Sequence, residues 1–149
     1  MTVNATIEEI LQQKGSMVCF IAPDATVFEA IQLMADKNIG AVLVMDGEKL
    51  IGVISERDYA RKVHLKGRSS RETKVREITS SPVISVMPTH SVQDCMRLMT
   101  DHRLRHLPVV SEGHVIGIVS IGDLVNWIIT AQDAAIQQLQ TYIGGVNPG

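Results

Sequence analysis

Two stretches of this chain repeat one pattern of chemically useful residues. They are Gly52-Val53-Ile54-Ser55-Glu56-Arg57-Asp58 and Gly117-Ile118-Val119-Ser120-Ile121-Gly122-Asp123, a doubled Gly-x-x-Ser-x-x-Asp. Each follows an apolar run and opens a helical pattern, so each falls at a strand-to-helix junction. There the first backbone N–H groups lack partners and the helix dipole favours negative charge. A Ser hydroxyl beside those groups suits a phosphate oxygen. An ionised Asp one turn in is acceptor-only and can take both hydroxyls of a ribose cis-diol, while the Gly lets a ligand approach the backbone closely. The same spacing also has a plainer use. Ser-x-x-Asp is a helix cap, and duplication copies caps as faithfully as sites. Both readings stand at this level.

The elements that hold these residues repeat as well. At an offset of 65, Pro23 to Val63 overlays Pro88 to Ile128 without a gap, with ten identities in 41 positions. Substitutions between them, such as Leu50/Val115 and Ile54/Val119, stay apolar. Each copy reads as a short strand (Met17 to Ile21; Val83 to Val86), then a helix started by Thr26-x-x-Glu29 or Ser91-x-x-Asp94. Val27, Ala30, Ile31 and Met34 form that helix's core stripe, matched by Val92, Cys95, Met96 and Met99. A hairpin follows, Ala41 to Met45 with Leu50 to Ile54 and Leu107 to Val110 with Val115 to Val119, turning at Asp46-Gly47 in the first copy. Pro108 has no N–H and belongs at a strand start or an edge. A second helix begins near Ser55 and near Ser120. The fold class is α/β (α+β): two β-α-β-β-α units, with short helices at both termini. One unit covers only one face of its sheet, so the two must pack together, with pseudo-two-fold symmetry.

The expected divisions are an N-terminal helix (1–15), unit 1 (16–64), a basic linker (65–78), unit 2 (79–130) and a C-terminal helix and tail (131–149). Around that linker, Arg61 to Arg76 holds seven of the 14 basic residues against one acid, Glu72. The run reads as a solvated connection or as a positive rim that draws phosphates inward.

Composition narrows the function classes. With 149 residues, 14 Lys and Arg and 16 Asp and Glu, the chain has no global field for a polyanion, and five aromatics give little stacking surface. Nucleic acid is not an expected partner, and no apolar run approaches the roughly 20 residues that span a bilayer. The acidic N-terminus lacks a signal peptide's character. Cys19 and Cys95 make no disulfide framework, so a cytoplasmic protein is expected.

The doubled unit, its order and its junctions resemble a tandem cystathionine β-synthase (CBS) domain pair, or Bateman module. The matching segments are Pro23-Asp24-Ala25-Thr26-Val27, Gly52 to Asp58, Arg105-His106-Leu107-Pro108-Val109-Val110 and Gly117 to Asp123. The resemblance implies a stand-alone pair that senses adenosyl ligands in clefts between the units: AMP above all, or ADP, ATP, NAD(H) or S-adenosylmethionine. Carried onto this sequence, Asp58 and Asp123 would hold ribose. Ser55, Arg57, Arg105, His106 and Ser120 would lie at phosphate. The strand entering each unit would flank adenine, which nominates Val18 and Cys19 in the first and Thr79, Val83 and Ile84 in the second. Opposite Arg105-His106 the first unit has Gly40-Ala41, so one phosphate grip is missing there and the Asp123 cleft is expected to be the tighter. Mg²⁺ bridging a nucleotide's phosphates is compatible with this pattern and leaves little trace in sequence.

Other chemistry finds less support. His102 and His106 are four apart, but the pattern turns toward a strand between them, and no Cys or carboxylate set completes a zinc sphere. No nucleophile–base order and no Gly-Lys-Ser/Thr phosphate loop is present, so no enzyme is expected. Two functions remain: a nucleotide sensor, or an interaction scaffold for a partner protein with degenerate clefts. The terminal helices carry spare apolar surface, and a homodimer is expected.

Overall fold

The computed structural model describes residues 2–15, 17–79 and 83–146, with side chains to Ile143. Helix caps explain where most elements begin. Thr26 and Ser91 each accept a hydrogen bond from the backbone N–H three residues on, starting α2 (Val27–Lys37) and α5 (Val92–His102). Both helices end in a left-handed residue, Asn38 and Arg103. Asn tolerates that conformation. Arg is an uncommon choice there, and this one turns the chain toward Arg105 and His106.

The hairpins form as the alternating apolar runs require. In unit 1, β2 (Ala41–Asp46) pairs antiparallel with β3 (Lys49–Ser55), and Ala41 lies opposite Ser55. In unit 2, β4 (His106–Ser111) pairs with β5 (His114–Ser120), and His106 lies opposite Ser120. The turn of unit 2 has positive φ at both Glu112 and Gly113, as a type I′ turn demands.

The strands entering the units are shorter than their sequence suggests. Of Met17 to Ile21 only Phe20–Ile21 (β1) is strand, pairing parallel with β2, and Leu43 N–H donates to the Cys19 carbonyl at 3.0 Å. Val83 to Val86 forms no strand, only a single bridge from Val86 to Val109. The cause is Pro108, which stands where unit 1 has Leu43. It has no N–H to give the Ile84 carbonyl, so the ladder keeps only the bonds on either side of Val86.

The largest departure concerns the helices flanking the units. Helix α1 (Ile7–Lys14) precedes unit 1 in the chain but packs into unit 2: Ile7, Ile10 and Leu11 share a core with Val92, Leu107 and Leu124. Helix α4 (Val75–Ile78) packs into unit 1, where Val75 and Ile78 join Val27, Met34 and Ile54. The hydrogen bonds correspond one for one. Ile7 N donates to His90 O as Val75 N donates to Ala25 O; Glu8 N to Pro88 O as Arg76 N to Pro23 O; Val92 N to Ala5 O as Val27 N to Thr73 O. Each unit is thus completed by the segment that leads into the other. The basic linker is corrected accordingly. Its second half is part of unit 1, with Thr73 buried and Arg76 paired to Asp24 and Arg68 to Glu77.

After Ser55 the chain forms α3 (Glu56–Tyr59) and a π-helical turn, Ala60–His64. After Ser120 it forms one helix of 26 residues, α6 (Ile121–Val146). The expected separate C-terminal helix is therefore a continuation of unit 2's second helix, because no Pro or Gly falls between Gly122 in its first turn and Gly144 near its end. Among the described residues no helix is long and apolar enough to cross a membrane.

Cys95 is 0% exposed in the unit 2 core, and burial first, then Asp94, pushes its thiol up to about 12. Cys19 is half-buried. A thiol reagent at neutral pH is expected to modify only Cys19 in the native protein and both cysteines in denaturant. Rapid native modification of both would contradict the packing of α5.

Candidate functional site

Both junctions adopt the capping geometry in full. Ser55 N–H and Oγ donate to Asp58 Oδ2 at 2.9 and 3.0 Å, and Asp58 N–H donates to Ser55 Oγ at 3.2 Å. Ser120 N–H donates to Asp123 Oδ2 at 2.8 Å, and Asp123 N–H donates to Ser120 Oγ at 3.1 Å. The plainer reading of the motif is therefore realised in both copies. It uses one oxygen of each carboxylate. A cap and a diol site exclude each other only if the second oxygen is also taken.

That second oxygen differs between the copies, through two lysines that sequence reasoning passed over. Lys62, one turn on from Asp58, places Nζ 3.2 Å from Asp58 Oδ1 and also donates to the Ile78 carbonyl at 3.0 Å. Lys14, at the end of α1, donates to Asp123 Oδ2 at 2.6 Å and to the Ile118 carbonyl at 2.7 Å. Asp123 Oδ1 takes no hydrogen bond from the described residues. Burial pushes the Asp123 carboxyl up, but the Lys14 ammonium and the Ser120 N–H outweigh it and hold the group below the usual carboxylate range. It is ionised at neutral pH.

The lysines also tie each carboxylate to the helix that completes its unit. Asp58 shares Lys62 with the end of α4, next to Thr79 in the chain. Asp123 shares Lys14 with the end of α1, four positions before Val18. Each carboxylate is thus linked through a lysine to the helix that leads, in the chain, into the other unit. Val18 and Cys19 are half-buried, as are Thr79, Val83 and Ile84. Thr79 Oγ1 donates to the Val75 carbonyl at 2.8 Å, so its proton is already used.

The two junctions meet near the pseudo-axis. His106, half-buried, lies against Gly40, where a Cβ would stand 3.6 Å from His106 Nε2. Gly40 is the counterpart of Arg105 in the other unit, so what the sequence presents as a missing grip is the space that admits the His106 ring. Burial lowers the His106 pKa, Lys14 and Arg105 lower it further, and Asp123 and Asp58 raise it. The ring therefore senses both carboxylates and is neutral at physiological pH.

Cations gather on the same side. The Arg57 guanidinium lies below its ordinary pKa, first because of Arg61, then burial, then Arg105 and Arg103 across the unit boundary, with Asp58 opposing. Arg57 and Arg61 come from the helical segment after β3, Arg103 and Arg105 from the loop before β4. Arg57 and Arg105 were candidates from sequence. Arg103 was not, and its signal is the left-handed turn, legible only from its alignment with Asn38.

One cavity borders the site and a larger one lies away from it. One of about 170 Å³ flanks Asp123 between α1 and α6, lined by Ile10, Gln13, Lys14, Asn126, Trp127 and Thr130. It is smaller than the roughly 300 Å³ at which small-molecule pockets begin, so a whole nucleotide at Asp123 requires Lys14 to move. The other, about 430 Å³, lies between the hairpin tips and is lined by Phe20, Ile21, Ala22, Met45, Gly47, Glu48, His114 and Val115. It contains none of the candidate residues, standing at the opposite end of β3 from Ser55. Among the described residues no three of His, Cys, Asp and Glu converge as metal ligands do.

Known proteins share this arrangement. The CBS domain family model matches residues 16–65 and again 75–130. The mitochondrial CBS domain-containing protein CBSX3 of Arabidopsis thaliana is 40% identical over 151 residues, covering 95% of this chain and 73% of its own. A putative signal-transduction protein with CBS domains from Burkholderia ambifaria superposes with a TM-score of 0.82 at 47% identity, over 86% of this chain and 96% of that one. A hexameric CBS-CP12 protein from bloom-forming cyanobacteria superposes with a TM-score of 0.75 at 25% identity, over 97% and 90%. With both matches in tandem, one on each unit, the chain belongs to the CBS domain family as a paired CBS module.

Proposed function

We propose that this module is a regulatory sensor of adenosyl ligands, AMP foremost, with ADP, ATP and NAD(H) as alternatives, and that it acts as a homodimer. The observation that carries the reading is the junction pair. Two carboxylates, each with one oxygen fixed in a cap, both act on His106 while Arg57, Arg61, Arg103 and Arg105 gather from both units. A ribose diol would take Asp123 Oδ1, and at the other junction Asp58 Oδ1 once Lys62 moves. The arginines and His106 would take phosphate, with Ser55 and Ser120 at the helix starts behind them. Adenine would lie against the crossed segment, Val18 and Cys19 with Asp123, Thr79, Val83 and Ile84 with Asp58. Any Mg²⁺ would arrive with the phosphates.

Regulation requires the ligand to favour one arrangement of the units over another. Lys14 supplies such a difference. It holds α1 to the start of α6, and a nucleotide that displaces it alters how α1 bridges the units. The module would signal by shape and catalyse no reaction. Self-association is supported by the hexameric cyanobacterial relative.

A second reading rests on the same lysines. If Lys14 and Lys62 remain on their carboxylates, the clefts are structural and the module is a scaffold for a partner protein. Calorimetric titration of the full chain with AMP, ATP, NADH and S-adenosylmethionine separates the two. Saturable binding of at least one ligand is expected, and binding of none would favour the scaffold.

A further inference from the structure

Helix α6 has two faces of different fate. Leu124, Trp127 and Ala131 are buried in unit 2. On the other side Val125, Ile129, Ile136, Leu139 and Ile143 are 40–60% exposed. With Gln132 they fall at alternating steps of four and three, the spacing of a heptad seam. From Gln132 to Ile143 every side chain but Ala134 is exposed. A helical segment of that length is marginal alone in water, yet it carries an apolar stripe that the described residues leave exposed.

Resting on the homodimer reading, we infer that this stripe pairs with the same stripe of a second copy, as a parallel two-helix coiled coil. Charge selects a second copy as the occupant. Between Leu124 and Val146 the only charged residue is Asp133, so the helix offers a charged partner helix no pattern to read, and a homotypic pair meets little repulsion. Area agrees: the stripe with Tyr142, 71% exposed, would bury on the order of 1,000 Å² in a symmetric pair, the lower bound of a specific interface. Gln132 sets the direction. In a parallel, in-register pair it faces its own copy and the two amides bond, whereas in the antiparallel pair centred on the exposed stretch it would face Ile136.

The test is light-scattering mass of the full chain and of Ile136→Glu, with Gln137→Glu as a charge control off the seam. Because residue 136 is exposed, neither variant should unfold, and circular dichroism checks this. Wild type and Gln137→Glu are expected to be dimers, and Ile136→Glu a monomer, its dimer dissociation constant raised at least about 100-fold by two buried like charges. In a Cys19→Ser background, Ile136→Cys is expected to form an intersubunit disulfide under mild oxidation, as parallel pairing brings the two positions together. A dimer that survives Ile136→Glu overturns the seam and leaves the homodimer standing on another surface. A monomeric wild type overturns both. Absence of the disulfide in a dimer that Ile136→Glu does break overturns the parallel register.

Discussion

Replacing Asp123 by Ala is expected to weaken AMP binding roughly 10- to 100-fold, the equivalent of one charge-assisted hydrogen bond of about 1.5–3 kcal/mol. The variant also loses a cap, which costs about 1 kcal/mol, so affinity must be read beside stability. Two companions separate the roles. Asp123→Asn keeps an oxygen to accept from the Ser120 N–H but loses the charge, and should bind weakly while melting close to wild type. Asp94→Ala removes a cap of the same geometry, Ser91 N–H to Asp94 Oδ2 at 3.1 Å, at a helix start outside the site. It should lower the melting temperature by about 2–4 °C and leave affinity unchanged. If Asp123→Ala and Asp94→Ala bind AMP equally well, Asp123 is a cap and nothing more.

Ile7→Ala should destabilise the whole chain by about 2–5 kcal/mol, although Ile7 lies outside both repeats. Ile7 is 0% exposed and sits in the unit 2 core. Its backbone N–H is bonded to His90 O at 2.8 Å, so truncation opens a cavity where a chain crossing is also anchored. Urea denaturation gives the total cost. Hydrogen exchange locates it, with protection falling first in α5, β4 and β5 rather than in the unit that follows Ile7 in sequence. A cost below about 1 kcal/mol, in the range of an ordinary surface substitution, would mean that α1 does not complete unit 2.

That crossing marks the boundary of what the sequence reveals. The offset of 65, the two hairpins and the capped helices are all local or repeated patterns, and each is found where residue type and spacing put it. The exchange of α1 and α4 leaves no such trace, since its bonds join residues such as Ile7 and His90 whose types say nothing of one another. The missing strand before unit 2 was in principle readable, because Pro108 replaces Leu43 and removes one donor from the ladder. Its consequence depended on knowing that the partner was Ile84.

The site divides in the same way. Ser55, Asp58, Ser120 and Asp123 are visible in sequence because a junction needs those groups at that spacing, whether as cap or as ligand site. Lys14 is not, for it reaches Asp123 across 109 positions of chain. Nor is the use of Gly40, which looks like a lost cation until His106 is seen beside it. The sequence pattern alone also pairs each carboxylate with no particular adenine segment. The lysine contacts link each carboxylate to the helix completing its unit, a link the sequence does not reveal.

The most direct measurement is a crystal structure of the full chain grown with saturating AMP. The ribose hydroxyls should lie within hydrogen-bonding distance of Asp123 Oδ1, with Lys14 withdrawn from that carboxylate, phosphate among the arginines and adenine beside Val18 and Cys19. Lys14 still seated on Asp123, with no nucleotide at either junction, would contradict the sensor and leave two well-capped helices in a scaffold.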